Sequence, residues 1–189
     1  MANNAVDQKV VERWLERLTR HEGDAAKTVG EINRAAVRVR GAVRTRGGVT
    51  TAARPEVPSS LEQELSKLTE STDEKLRGEV AYALGGLGGA GSVRPLRHLV
   101  LHDPVASVRA QAAAALGRIG GDHAVDALIR AVQGDVDETV RAEAVDELGL
   151  LMRGEGDAEL KARVREVLVR AAKTDVSPFV RERATSIGS

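Results

Sequence analysis

The sequence predicts an all-α solenoid of stacked helical hairpins, preceded by an N-terminal helical hairpin. Three observations carry that expectation. First, Leu76-Arg77, Val108-Arg109 and Val140-Arg141 put arginines 32 residues apart, and seven residues after each comes Leu84, Leu116 or Leu148, followed by Gly85, Gly117 or Gly149. A small apolar residue stands three after each arginine (Val80, Ala112, Ala144), and Asp103 and Asp135 lie six before the second and third. Self-similarity at a period of this size marks a repeat architecture. Second, apolar residues inside a unit fall at helical spacing: Val108, Ala112, Ala115, Leu116 and Ile119, then Val125, Leu128, Ile129 and Val132. Third, the 189 residues include one Trp, one Tyr, one Phe and no Cys, so Ala, Val and Leu must fill the core. Small residues let helices approach closely, whereas a β-sandwich would want more aromatic and β-branched positions.

Taken in order, Ala5–His21 reads as an amphipathic helix, with Val6, Val10, Trp14 and Leu18 four apart. Glu22-Gly23-Asp24 breaks it, and Asp24 is placed to cap a second helix, Ala25–Val43. Residues 1–45 are therefore expected to form the hairpin, either a cap on the first repeat or a separate docking element, with Trp14 packed inside it in preference to standing exposed as an anchor for a partner. Six arginines and no acid occupy Arg34–Arg54, and 46–60, with its Gly-Gly pair, two prolines and Ser59-Ser60, reads as a flexible linker. Ser60 with Gln63 matches a capping box for a helix over Leu61–Thr69. That helix opens the array, 61–189.

In the second unit Gly120-Gly121 stops the first helix, because glycine tolerates the left-handed conformation a stop requires. Gly134 ends the second helix, and Asp135 then caps the next helix or pairs with an arginine. The third unit spaces its aspartates 40 apart (135 and 175), so about eight residues are inserted, expected chiefly in the loop before Glu159. The last repeat is incomplete: Val180-Arg181 and Ala184 match, and no second helix follows. Pro178–Ile187 is expected either to cap the array or to meet a second copy end-on.

The run Val108-Arg109, Ala112, Ala115-Leu116-Gly117, Gly120, then Ala124-Val125 and Leu128, resembles the HEAT-repeat family in the short form found in phycobilisome-lyase-like proteins. The resemblance covers roughly Ser71 to the end. It implies an α-solenoid whose second helices line the concave face. It also implies two enzyme alternatives, a chromophore lyase and a DNA glycosylase, for which the residues supply nothing beyond repeat grammar.

No catalytic set appears: no Gly-x-Ser-x-Gly, phosphate loop or dinucleotide fingerprint. His98 and His102 are four apart, but a zinc site wants more ligands, so neither a metal nor another cofactor is expected. Gly85-Gly86-Leu87-Gly88-Gly89 reads as a turn ending a helix in phase with the repeat. No apolar run reaches a membrane span of about 18 residues, and the charged N-terminus argues against a secretory signal. The expected compartment is the cytoplasm.

Net charge is zero but uneven: residues 1–60 hold eleven basic and seven acidic residues, 61–189 seventeen and twenty-one. The second helices carry Arg94, Arg97, Arg130 (against Asp126), Arg163, Arg165 and Arg170, while the first helix of the third unit carries Glu138, Glu143, Asp146 and Glu147. A basic inner face and a more acidic outer face are expected. A basic groove concentrates acidic partners. The reading is thus a non-catalytic protein-interaction adaptor that binds an acidic partner through Arg94, Arg97, Arg130, Arg163, Arg165 and Arg170. Arg38, Arg40, Arg44 and Arg46 form a second anion contact. Nucleic-acid binding is the alternative, weakened by scarce aromatics. Arg77, Arg109 and Arg141 recur in register and are read as structural, paired with aspartates such as Asp103 and Asp135.

Overall fold

The computed structural model describes residues 7–20, 24–41, 58–153 and 157–188. Among these residues the secondary structure is all helical: α1 (Gln8–Thr19), α2 (Ala25–Gly41), α3 (Ser59–Lys67), α4 (Glu74–Leu87), α5 (Val93–His102), α6 (Ala106–Ile119), α7 (Asp122–Gly134), α8 (Glu138–Arg153), α9 (Ala158–Thr174) and α10 (Pro178–Gly188). Two 3-10 turns, Leu68–Glu70 and Ala90–Ser92, join them. The all-α solenoid of helical hairpins is thus the fold. The chain divides into two compact units, Met1–Pro95 and Leu96–Ser189, and the division falls within α5. The expected linker lies outside the described residues over 46–57.

In the first unit, α1 and α2 are joined through their polar faces as well as their apolar ones. Trp14 is 3% exposed, and its indole N–H donates to Glu31 Oε2 at 3.3 Å. The same oxygen takes Arg17 Nη1 at 2.9 Å. Asp24 does cap α2, accepting from the Ala26 amide at 2.9 Å. Helix α2 lies against α4, with Asn33 Nδ2 donating to the Glu79 carbonyl at 3.2 Å. Ala36 comes so near α4 that a Cβ added at Gly86 would stand 3.2 Å from it. Helix α3 packs on both α1 and α4 through Leu61 and Leu65, each fully buried. The helices of the expected hairpin and the first helix of the first clear repeat therefore share one compact unit.

Two local expectations are corrected here. Helix α3 starts at Ser59, after Pro58, with no side-chain cap bond, so Ser60 is inside the helix and forms no capping box. Proline fixes φ near the helical value and needs no donor at a helix start, which sets the boundary without a hydroxyl. Gly85 and Gly86 are helical rather than part of a turn; α4 runs to Leu87 and stops at Gly88, whose φ is 64°.

The second unit is a two-layer stack. Helices α6, α8 and α10 form one layer, α7 and α9 the other. Between them lie Val108, Ala112, Leu116, Leu128, Val140, Ala144, Leu148, Leu168, Val180 and Ala184, each 0–1% exposed. Burying each leucine contributes roughly 2–3 kcal/mol. Close packing inside the first-helix layer depends on glycine: a Cβ at Gly149 would come within 2.5 Å of Ile187, and one at Gly117 within 1.9 Å of the Glu147 carboxylate. Helix α6 ends at Gly120, φ 70°, as its sequence predicts.

The insertion in the third repeat is not chiefly a loop. Helix α8 has 16 residues against 14 in α6, and α9 has 17 against 13 in α7. Only two of the eight extra residues fall in the connection. Both helices carry strong helix formers past the point where their counterparts meet glycine, so the insertion extends the helices.

Candidate functional site

Of the in-phase arginines, Arg77 belongs to the first unit, while Arg109, Arg141 and Arg181 build one edge of the second, where the loops run from each second helix to the next first helix. Arg109 Nε and Nη2 donate to the two carboxylate oxygens of Asp135 at 2.7 and 2.8 Å, while Nη1 donates to the Asp103 carbonyl at 2.9 Å. Arg141 repeats the arrangement on Asp175 (2.9 Å twice) and the Asp135 carbonyl (3.0 Å). Arg77 and Arg181 hold the carbonyls six residues before them, Ser71 and Asp175, at 2.8 and 2.7 Å. The expected Arg–Asp pairing is therefore present for Arg109 and Arg141, and each reaches the aspartate of the following loop.

These pairs are buried, with side-chain exposures of 11% and 6% for Arg109 and Asp135, and 9% and 6% for Arg141 and Asp175. Burial alone would raise the Asp175 carboxyl, but the Arg141 bonds and the Ser177 amide pull it below its usual value. Each aspartate also accepts from the backbone amide two residues on: Asp103 from Val105, Asp135 from Asp137 and Asp175 from Ser177, at 2.8–2.9 Å.

Two clefts open beside these pairs. One, of about 610 Å³, is lined by Val132, Val136, Arg141, Val167, Arg170 and Val176 among others. The other, of about 490 Å³, is lined by Val100, His102, Arg109, Arg130 and Val136 among others. Val136 and Val176 are 92% and 86% exposed, although both are β-branched apolar residues.

The arginines singled out from sequence separate into groups. Arg130 and Arg170 are exposed and line the two clefts. Arg163 pairs with Asp126 across α7 and α9, so Asp126 does not offset Arg130. Arg163 and Arg170 also line a small cleft with Gln133 and Glu166. Arg165 is exposed elsewhere on α9, Arg97 is exposed on α5 in the second unit, and Arg94 is exposed on α5 in the first. Arg44 and Arg46, and the side chains of Arg38 and Arg40, lie outside the described residues.

The α8 acids differ in placement: Glu138 is exposed, whereas Glu147, for which the sequence reading had no packing role, enters the seam with α6 above Gly117. Burial, then the Glu143 charge, pushes its carboxyl up to about 7, against the pull of Arg118. Glu143 is raised as well, by burial and then by Asp146. The bare backbone of Gly117 was the available signal: glycine one turn from a helix end leaves room that a neighbouring side chain fills.

Among the described residues no cluster of three or more His, Cys, Asp or Glu could hold a metal, and no helix is long and apolar enough to cross a membrane.

A family description, HEAT repeats, matches residues 12–117, 61–149 and 100–187. No curated protein matches the chain. Among solved structures, the chain is similar to an engineered protein of the Northeast Structural Genomics Consortium, at 23% identity and TM-score 0.59, covering 94% of this chain and 77% of that one. It is similar to a computationally designed armadillo repeat protein for modular peptide recognition, at 16% identity and TM-score 0.57, covering 94% and 80%. A further designed armadillo repeat protein is similar at 18% identity and TM-score 0.56, covering 96% and 84%.

Proposed function

Because the chain belongs to the HEAT-repeat family, we propose that it is a non-catalytic protein-interaction scaffold of the cytoplasm. It takes an acidic protein surface or peptide on its second helices, through Arg94, Arg97, Arg130, Arg163, Arg165 and Arg170. Helices α1 and α2, which pack on α3 and α4 within the first unit, serve as a cap there.

One observation supports this reading above the others. The aspartates nearest the second-helix edge are already engaged by buried guanidinium groups, whereas Arg130 and Arg170 stand exposed with no ion pair among the described residues. An incoming carboxylate thus meets positive charge that the protein itself leaves unneutralised, and such charge steers acidic partners. Arg163 contributes by exchanging Asp126 for the ligand. That one structure similar in fold was designed for modular peptide recognition accords with a peptide ligand.

The test is selection of random displayed peptides on the immobilised chain. Enrichment of Asp and Glu is expected, and it should vanish in the variant Arg94→Glu, Arg130→Glu, Arg165→Glu. Selected peptides with no acidic bias would overturn the reading.

A further inference from the structure

We propose that the two clefts beside Val136 form one docking track for an extended acidic peptide in the polyproline II conformation. One carboxylate of the peptide meets Arg130 and a second meets Arg170, with an apolar side chain resting on Val136 between them. This rests on the acidic-partner reading and narrows it to one edge of the second unit.

The two clefts are the same structure built twice. Asp103, Arg109, Arg130, Ala131, Asp135 and Val136 line one; Asp135, Arg141, Arg170, Ala171, Asp175 and Val176 line the other. Position by position, the second set stands 32 residues after the first before the insertion and 40 after it. Whatever one cleft binds, the other is equipped to bind a step along.

The chemistry of each step follows from what is already satisfied. Across both clefts four arginines line the walls with three aspartates. Asp135 and Asp175 are each held at both oxygens by Arg109 and Arg141 and are 6% exposed. Asp103 is buried and accepts the Val105 amide. The charges left to a ligand are those of Arg130 and Arg170. The clefts also have apolar walls, Val132, Val167 and Val176 on one side of Val136 and Val100 on the other. Val136 itself is 92% exposed on a three-residue loop whose flanking aspartates hold it fixed. A fixed exposed valine between two cations suits a ligand that alternates acid with apolar side chain.

Spacing selects the conformation. Helices α7 and α9 pack side by side, and packed helices stand about 8–10 Å apart. A polyproline II chain turns every three residues with a rise of about 3.1 Å each, so one face recurs every ~9 Å. A β-strand presents one face every ~7 Å and falls out of step.

The experiment is fluorescence anisotropy of the full chain with a labelled peptide of three Glu-Pro-Val repeats. The comparator has the same composition with its three glutamates adjacent. The spaced peptide is expected to bind more tightly by about fivefold or more, and Arg130→Ala and Arg170→Ala each to weaken it by roughly fivefold to tenfold. Lys75→Ala, an exposed charge of the first unit, should leave binding unchanged, and unaltered melting curves establish that the arginine variants fold. Equal binding of the two peptides overturns the track. So does a loss that follows Arg163→Ala and Arg165→Ala while Arg130→Ala and Arg170→Ala are inert, an outcome that leaves the broader acidic-partner reading standing. If neither peptide binds, the track is wrong, and the peptide selection described above decides the broader reading separately.

Discussion

The second unit buries carboxylates in two places and treats them oppositely. On the loop edge, Asp135 and Asp175 each receive two guanidinium bonds, and the Asp175 carboxyl is held below its usual value. In the seam between α6 and α8, Glu147 is crowded by burial and by Glu143, and its carboxyl rises to about 7. Burial alone does not decide the outcome, since the Asp175 side chain is 6% exposed and its carboxyl is nevertheless lowered. What separates them is whether a cation is hydrogen-bonded to both oxygens, because a buried charge is tolerable only when paired. The loop edge is therefore held together by its charges, and the seam is held together despite them.

The largest expected effect tests the paired side. Asp175→Ala leaves Arg141 buried without its carboxylate, and loss of one partner of a buried pair costs about 3–5 kcal/mol. Denaturant midpoints at neutral pH should show it. Because the Asp175 pKa is depressed in the fold, that stabilisation is present above the unfolded value of 3.8 and drains as pH falls below it. The wild type and the variant should thus converge in acid.

The next two predictions act on the seam. Gly117→Ala puts a Cβ 1.9 Å from the Glu147 carboxylate and 2.7 Å from its Cβ. Glu147 cannot clear that space by rotating its tip alone, so the variant should lose about 1–3 kcal/mol. Gly134→Ala, with nothing within 4 Å, is the control and should gain a few tenths or more through helix propensity. Glu147→Gln should do the opposite of Gly117→Ala. Below an unfolded pKa of 4.5 the glutamate is protonated in both states; as pH climbs to about 7 only the unfolded chain ionises freely, so the fold loses stability over that window. After discounting for the part that water reaches, glutamine should stabilise by roughly 1–2 kcal/mol at pH 8 and by almost nothing at pH 4. A gain equal at both pH values would break the comparison.

The smallest effect sharpens it. Arg163→Ala removes an exposed pair with Asp126, whose side chains are 49% and 47% accessible. Its melting midpoint should coincide with that of the wild type, since pairs in water contribute little.

The paired edge was legible in the sequence because it repeats. Arginines at 77, 109 and 141 keep a period, and aspartates at 103, 135 and 175 each stand six residues before an arginine; such recurrence betrays a shared structural role. The seam was not legible. Glu143, Asp146 and Glu147 occur once, and acids on a helix read as solvated unless one knows that Gly117 faces them. The packing of α2 on α4 hid for a related reason: Ala36 against Gly86 is contact between two nearly absent side chains, which no hydrophobic pattern announces. The exposed charge of Arg130 and Arg170 was half visible. Their charge could be read, but that Asp126 is taken by Arg163 depends on two helices whose offset the insertion had shifted.

The arginine clamps also decide where the chain can vary in length. Each loop on their edge spans the same three residues, 103–105, 135–137 and 175–177, whereas α6 and α7 on the opposite edge are joined by only two, 120–121, and the eight-residue insertion of the third repeat falls between 138 and 174, away from these loops. A guanidinium that must touch a carbonyl behind it and a carboxylate ahead works as a gauge, rejecting any loop that is too long or too short. Growth of the protein is thereby diverted to the far edge, and the loops carrying Val136 and Val176 stay matched in size whatever is added elsewhere.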